Sequence, residues 1–170
     1  LQDALDKITA LSHLSDIEWH FIGPLQSNKT RPVANHFQWL ETLDREKIAV
    51  RLNEQRPEGL PPLNVLIQVN ISDEPQKAGI ATNDVATFAQ QLQSLPKLKV
   101  RGLMCIPEDT PNEEHLRHQF ERMQQLLLEL QQIVPEADTL SMGMSGDLEL
   151  AIACGSTQVR IGTDIFGARN

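Results

Sequence analysis

The sequence contains no tyrosine, only two cysteines, and no long hydrophobic run. None of its apolar runs approaches the ~20 residues that a helix needs to cross a bilayer, so we expect no membrane span. No signal peptide is visible. Cys105 and Cys154 lie in apolar patterns typical of a strand and a helix. We therefore expect two buried, reduced thiols in a cytoplasmic protein rather than a disulfide or a metal-binding pair.

Positive charge is also scarce. The chain has 15 Lys and Arg against 23 Asp and Glu, a net charge of −8, and no basic stripe with interleaved aromatic residues. This argues against a nucleic-acid-binding surface. The 170 residues are 40% hydrophobic and 22% charged, which is ordinary for a globular protein. That length is enough to bury a core, and we predict a single domain over residues 1–170.

The chain begins inside a helical pattern. Leu1, Ala4, Leu5, Ile8 and Leu11 follow the spacing of one helix face, and no initiator Met precedes them. We therefore expect that an N-terminal piece is absent before Leu1.

Strand-like runs alternate with helical patterns along the whole chain. We predict helices that begin at Asp44, at Asn83 and at the capping box of Thr110, with Pro111 in the first helical position. A further helix is predicted over 147–154, ending at Gly155. The predicted strands cover residues 19–22, 39–43, 65–71, 100–106, 139–142 and 158–161.

These strands are continuous apolar runs, which indicates a parallel sheet covered on both faces. Repeated βα units leave two architectures open, a doubly wound sheet or a barrel. Six strands alone favour the open sheet, because an eight-stranded barrel usually needs at least about 200 residues. With an N-terminal βαβ piece absent, the same pattern fits a (β/α)8 barrel that lacks its first two strands.

Two Gly-rich turns follow the last two predicted strands, and we call them the first turn (141–147) and the second turn (159–163). The first turn contains Ser145 and Gly146, and the second contains Gly162 and Thr163. Backbone N–H groups and hydroxyls in such turns can bind a phosphate ester. The alternative is two ordinary βα turns in which Ser145 or Asp147 only caps a helix.

Other candidate residues have structural alternatives. His20 either lines a site or is a hydrogen-bonded core histidine. Lys29 and Lys77 lie in polar loops, where most lysines are solvated. His115 and His118 are three residues apart on one predicted helix, but no third ligand is near them, so we expect no metal site.

Five ordered blocks, which cover essentially the whole chain, resemble the pyridoxal phosphate homeostasis protein family. They are residues 19–29, 70–79, 101–104 and the two Gly-rich turns, and residues 166–169 also fit. The resemblance implies a modified (β/α)8 barrel of the alanine racemase type, here the last six βα units, with pyridoxal 5′-phosphate (PLP) at its C-terminal face. It implies that Ser145, Gly162 and Thr163 hold the phosphate with Gly146 close by, that Arg160 faces the pyridine nitrogen, and that His20 lines the pocket.

An arginine opposite the pyridine nitrogen has a chemical consequence. Its guanidinium has a pKa above ~12, so it donates a hydrogen bond to the nitrogen and leaves the ring unprotonated. An aspartate would do the reverse and strengthen the electron sink. A site with arginine suits a carrier of PLP more than a catalyst.

The resemblance also implies a Schiff-base lysine near the end of the first strand, upstream of Leu1. The lysines present match other positions of the family, so none takes that role. We expect a PLP-binding protein that acts in PLP homeostasis and delivers the cofactor to PLP-dependent apo-enzymes without turnover. A monomer is expected when the chain is complete.

Two enzyme hypotheses compete with the carrier. An amino-acid racemase or lyase on the same barrel needs a second proton-transfer residue, commonly a tyrosine, and the sequence has none. A phosphosugar enzyme would use the same anion site but lacks a convincing acid–base pair. Glu149 is the nearest carboxylate, and we expect it to face solvent.

Overall fold

The computed structural model describes residues 1–169 and contains one sheet of six parallel strands. The strands are β1 (His20–Phe21), β2 (Trp39–Leu43), β3 (Leu63–Gln68), β4 (Leu98–Met104), β5 (Thr139–Met144) and β6 (Gln158–Arg160). The helices are α1 (Gln2–Ala10), α2 (Thr30–His36), α3 (Glu46–Gln55), α4 (Val85–Leu92), α5 (Glu113–Leu130), α6 (Leu148–Ala153) and α7 (Thr163–Phe166).

The strand order decides between the two architectures. Each strand pairs with the next one in sequence, from β1 to β6, with no reversal. A doubly wound sheet reverses its order at a switch point, whereas a barrel does not. The sheet is therefore six strands of a barrel of the (β/α)8 type, and the predicted barrel class is confirmed.

The two faces of the sheet differ in chemistry. Alternate residues of β3, such as Leu63, Val65 and Ile67, belong to the main core with the buried faces of the helices. On the inner face, Trp39, Leu66 and Met104 form a second, smaller apolar cluster. Buried polar residues accompany that inner cluster, namely Glu41, Gln68 and Ser141.

All six predicted strands are present at the predicted positions, but the residues at which they begin and end are less accurate. The bounds of β2 match the prediction, but β3 ends at Gln68 rather than at residue 71. There the Asn70 side chain donates to the Glu74 carbonyl oxygen and supports a turn. β4 runs from Leu98 to Met104, two residues earlier than predicted, while β1 and β6 are shorter and β5 is longer.

The predicted helix starts need more correction. Asp44 does not cap α3; its carboxylate accepts a hydrogen bond from the Gly79 backbone N–H instead. Asn83 lies in a 3-10 turn (Thr82–Asp84), and α4 begins after it. The cap of α5 is Asn112 rather than Thr110, because the Asn112 side chain accepts from the His115 N–H at 3.1 Å. Such polar side chains have several possible partners: a distant backbone N–H takes Asp44, whereas Thr110 accepts from the nearby Asn112 N–H.

The last predicted helix is shorter than expected. α6 begins at Leu148 and ends at Ala153, so Gly146 and Asp147 precede it. Gly155 follows it with a φ of 105°, a left-handed conformation suited to glycine at the end of a helix.

Two sequence expectations concern the chain as a whole. Within residues 1–169, no helix is both long and apolar enough to cross a membrane. Cys105 and Cys154 are buried, and neither forms a disulfide.

Candidate functional site

Two adjoining cavities lie at the C-terminal ends of the strands. We call the one inside the curved sheet the inner cavity (about 560 Å³) and the one between the two Gly-rich turns the turn cavity (about 580 Å³). Both volumes are in the range of ligand pockets. Met144, Arg160, Gly162 and Arg169 line both cavities, so a single ligand can extend from one into the other.

The turn cavity brings together the predicted phosphate-binding residues, because Ser145, Gly146, Gly162 and Thr163 all line it. The Ser145 hydroxyl oxygen accepts a hydrogen bond from the Asp164 N–H at 3.3 Å and so joins the first turn to the start of α7, directly after the second turn. Its own proton remains free to be donated. The capping alternative is wrong for Asp147: its side chain makes no cap hydrogen bond to α6 and accepts from the Met144 N–H at 2.7 Å instead.

The backbone of the turn cavity is suited to an anion. A Cβ added to Gly146 or Gly162 would meet no atom within 4 Å, so the backbone is open to a ligand at both positions. Within residues 1–169, no acceptor receives a hydrogen bond from the N–H groups of Ser145, Gly146 or Gly162. Since α6 and α7 have only six and four residues, these donors matter more than any helix dipole.

Arg160 links the two cavities. Its Nη1 donates to the Ser141 hydroxyl at 2.6 Å, and its Nη2 donates to the Cys105 carbonyl oxygen at 2.9 Å. A guanidinium has five N–H donors, so three remain for a ligand. Burial lowers the pKa of Arg160 from its ordinary value, and the negative charge of Glu41 opposes that shift. The side chain stays cationic, as arginine does throughout proteins.

His20 fits both alternatives that the sequence left open. Its Nδ1 lies 2.7 Å from a Glu41 carboxylate oxygen, and its ring stacks on Trp39 with the ring centroids 4.8 Å apart. It is therefore a hydrogen-bonded interior histidine. It also lines the inner cavity beside Arg160.

Glu41 is the residue that sequence reasoning missed. It lies in the middle of β2, and its side chain is only 1% exposed. Burial alone raises the pKa of Glu41, but hydrogen bonds from His20 and Ser141 and attraction to His20 and Arg160 outweigh it. The pKa therefore falls below its ordinary value, and Glu41 is ionised at neutral pH. A charged residue inside an apolar strand was the available signal.

The other candidates do not join this site. Lys29 is exposed at the end of a 3-10 turn. The Lys77 ammonium is half-buried and contacts the Pro107 carbonyl oxygen and the Glu74 carboxylate. It is thus less solvated than expected.

The predicted absence of a metal site stays a prediction, although the described residues include no group of three or more potential ligands. His115 pairs with Glu108, and His118 pairs with Glu114. Glu149 is exposed, as expected.

The donor set of the two cavities fits PLP on chemical grounds. Hydroxyls and unpaired N–H groups in the turn cavity suit a phosphate, and Arg160 beside it suits an aromatic ring nitrogen. The apolar side chains of Ile22, Ile106 and Met144 line the inner cavity and can contact the faces of a ring.

Comparison with known proteins agrees with this chemistry. Residues 6–170 match the family described as alanine racemase, N-terminal domain. Pyridoxal phosphate homeostasis protein from Haemophilus influenzae is 56% identical over 173 residues, covering 100% of this chain and 73% of that protein. The protein of the same name from Escherichia coli is 54% identical over 175 residues, covering 100% and 74%.

Solved structures agree with the fold. PipY from Synechococcus elongatus with PLP bound has a TM-score of 0.88 at 36% identity, covering 98% of this chain and 78% of PipY. Alanine racemase from Corynebacterium glutamicum has a TM-score of 0.71 at 14% identity, covering 97% and 46%, and supports the fold alone. The predicted family is confirmed: the chain belongs to the pyridoxal phosphate homeostasis proteins and carries the alanine racemase N-terminal domain.

Proposed function

We propose that this protein binds PLP across its two cavities. The observation that carries the proposal is the placement of Arg160, with three uncommitted donors, next to a cavity lined by hydroxyls and open glycine backbone. The PLP bound to PipY, a 36% identical structure of the same fold, supports it.

The turn cavity would hold the phosphate. The Ser145 and Thr163 hydroxyls and the N–H groups of Gly146 and Gly162 supply neutral donors to its oxygens. Arg160 and Arg169 line the same cavity and supply positive charge. A phosphate is a strong acceptor, and its hydrogen bonds to such donors are charge-assisted.

The inner cavity would hold the ring. Arg160 donates to the ring nitrogen and cannot accept its proton, so the ring stays unprotonated. When bound, PLP supplies an aldehyde that reacts with amines and a ring that can act as an electron sink. Arg160 keeps that sink weak, because an unprotonated ring withdraws electrons less than a protonated one.

A weak electron sink favours holding the cofactor over turning over an amino acid. We therefore propose that the protein acts in PLP homeostasis in the cytoplasm, delivers PLP to PLP-dependent apo-enzymes, and is a monomer when complete. The names of its relatives support the homeostasis role. Racemisation or elimination of an amino acid by the purified protein with PLP would contradict the proposed lack of turnover.

The binding proposal predicts that both ends of the cofactor contribute. Equilibrium dialysis should show that PLP binds more tightly than pyridoxal, which lacks the phosphate.

Ser145→Ala should weaken PLP binding by about 1–2 kcal/mol, the contribution of one charge-assisted hydrogen bond. Arg160→Ala should weaken PLP binding or shift the absorbance of bound PLP, with only a modest loss of stability.

The matched control is Ser94→Ala, which removes an exposed hydroxyl bonded only to the Gln91 carbonyl oxygen. It should leave PLP affinity unchanged. Equal affinities for PLP and pyridoxal would contradict the phosphate assignment. Unchanged affinity and absorbance in Arg160→Ala would contradict the ring-nitrogen assignment.

A further inference from the structure

Glu41 connects residues that are far apart in sequence. Its two carboxylate oxygens receive hydrogen bonds from β1, β5 and β6 through the side chains of His20, Ser141 and Gln158. A single buried carboxylate on β2 is thus bonded to three other strands on the inner face of the sheet.

One of these contacts leads directly to Arg160. The Ser141 hydroxyl donates to Glu41 at 2.6 Å and accepts from Arg160 Nη1 at 2.6 Å. A hydroxyl has one proton, so donating it to Glu41 leaves only lone pairs for the guanidinium. Arg160 can only donate, so the Ser141 hydroxyl accepts from it in any case, and Glu41 fixes the hydroxyl's rotation by taking its proton.

A carboxylate also suits the three partners of Glu41. His20, Ser141 and Gln158 all donate toward it, and only a carboxylate offers two acceptor oxygens. A glutamine at this position has one acceptor oxygen and one donor NH₂ group. With the NH₂ group toward His20 and Gln158, it would face two donors. With the NH₂ group toward Ser141, the hydroxyl would have to accept that bond, and residue 41 would no longer hold the hydroxyl proton.

We propose that Glu41 is a positioning residue that acts through Ser141 to orient the Arg160 guanidinium toward the ring nitrogen of PLP. This inference rests on the proposed binding of PLP. Glu41 need not touch the cofactor, since its oxygens already have three donors. By holding the Ser141 proton, Glu41 turns the lone pairs of that hydroxyl toward Arg160, the side chain placed to donate to the ring nitrogen.

A ligand without the ring nitrogen separates positioning from general damage to the fold. In 1-deaza-PLP a carbon replaces that nitrogen, so Arg160 has nothing to donate to. Glu41→Gln should weaken PLP binding by about tenfold and leave 1-deaza-PLP binding within about twofold of the unchanged protein. A merely structural role would weaken both ligands alike, and that result would overturn the proposal.

The matched control is Asp138→Asn. Asp138 is also a carboxylate hydrogen-bonded to an arginine, Arg101. It directly precedes β5, at the end of the strand away from the two cavities. Its neutralisation should change neither ligand's affinity by more than about twofold. If Asp138→Asn weakened PLP binding and left 1-deaza-PLP binding unchanged, the effect would not be specific to Glu41.

A double-mutant cycle tests the route through Arg160. In an Arg160→Ala background, Glu41→Gln should cause no further loss of PLP affinity beyond about twofold. If the two losses multiplied, Glu41 would act independently of Arg160 and the proposal would be wrong.

Ser141→Ala provides a second variant if Glu41→Gln does not fold. It removes the connecting hydroxyl but leaves Glu41 bonded to His20 and Gln158, so the same selective loss of PLP is expected. If every variant bound PLP like the unchanged protein, the positioning role would be refuted while the proposed function would stand. If the unchanged protein did not bind PLP, the proposed function would fail, and this inference with it.

Discussion

Arg160 and Glu41 are opposite charges placed in the interior by strands β6 and β2, and a serine hydroxyl joins them. Isolated, either charge would be costly to bury. Together with their hydrogen bonds they are compatible with the low polarity of the barrel interior. The charge of Arg160 also acts on Cys105, whose carbonyl oxygen accepts from Arg160.

Cys105 should be chemically inert in the folded protein. Burial raises the pKa of its thiol to about 12, although the charge of Arg160 opposes the shift. The thiolate is the reactive form, so almost none is present at pH 8. We expect iodoacetamide to leave Cys105 unmodified in the native protein and to alkylate it in urea, as measured by intact mass in a Cys154→Ser background. Rapid labelling of native Cys154→Ser would contradict this.

At the scale of elements, the close approach of β4 and β5 depends on Gly102. Gly102 pairs directly with Thr139, and a Cβ at Gly102 would overlap the Thr139 carbonyl oxygen. The backbone of a neighbouring strand cannot move aside as a flexible side chain can. The lack of a side chain at Gly102 therefore allows β4 to pair this closely with β5, the strand that carries Ser141.

Gly102→Ala should therefore destabilise the protein by about 3 kcal/mol, the upper range of overpacking effects. Gly59→Ala is the matched control, because a Cβ there meets nothing within 4 Å. It should change the free energy of unfolding by no more than about 0.5 kcal/mol. Urea denaturation of both variants gives the comparison. Similar stabilities for the two variants would show that β4 and β5 can separate without cost.

At the scale of the whole molecule, the site exists only because the strands curve into a barrel wall. His20, Glu41, Ser141 and Arg160 lie on four strands, and residues 20 and 160 are at opposite ends of the described chain. The order of the strands brings them to one inner face. Glu41 is hydrogen-bonded to side chains of three other strands, so we expect its charge to contribute to the stability of the sheet.

The free energy of unfolding should therefore depend on pH through the protonation of Glu41. Its folded-state pKa is lowered from an ordinary value of 4.5, so its contribution is present above pH 4.5 and is lost as pH falls through the folded-state pKa. At pH 7, Glu41→Gln should reduce the free energy of unfolding by about 1–3 kcal/mol. That difference should shrink below pH 4.5.

Urea denaturation at several pH values measures the effect. Glu54→Gln, which changes an exposed carboxylate on α3, is the control and should differ by no more than about 0.5 kcal/mol at any pH. A difference between Glu41→Gln and the unchanged protein that stayed constant down to pH 2 would show that the charge of Glu41 does not matter for stability.

Sequence reasoning was most successful where a feature is local. The apolar runs of β2 and β5 and the left-handed glycine after α6 follow from side-chain pattern and backbone sterics, which neighbouring residues dictate. Helix starts were predicted less well. Asp44 and Thr110 have polar side chains that can cap a helix or bond elsewhere, and in this fold both bond elsewhere.

The sequence by itself determined the alternation of strands and helices, the two Gly-rich turns with their donors, and the family. Each depends on residues close together along the chain or on motifs in a fixed order. The strand pattern left an open sheet and a barrel possible, the family resemblance predicted the barrel, and the strand order confirmed it. Only the tertiary structure decided that Glu41, 119 residues before Arg160, shares its hydrogen-bond network (160 − 41). A contact between distant residues has no local pattern, because it forms only when the strands that carry them pack together.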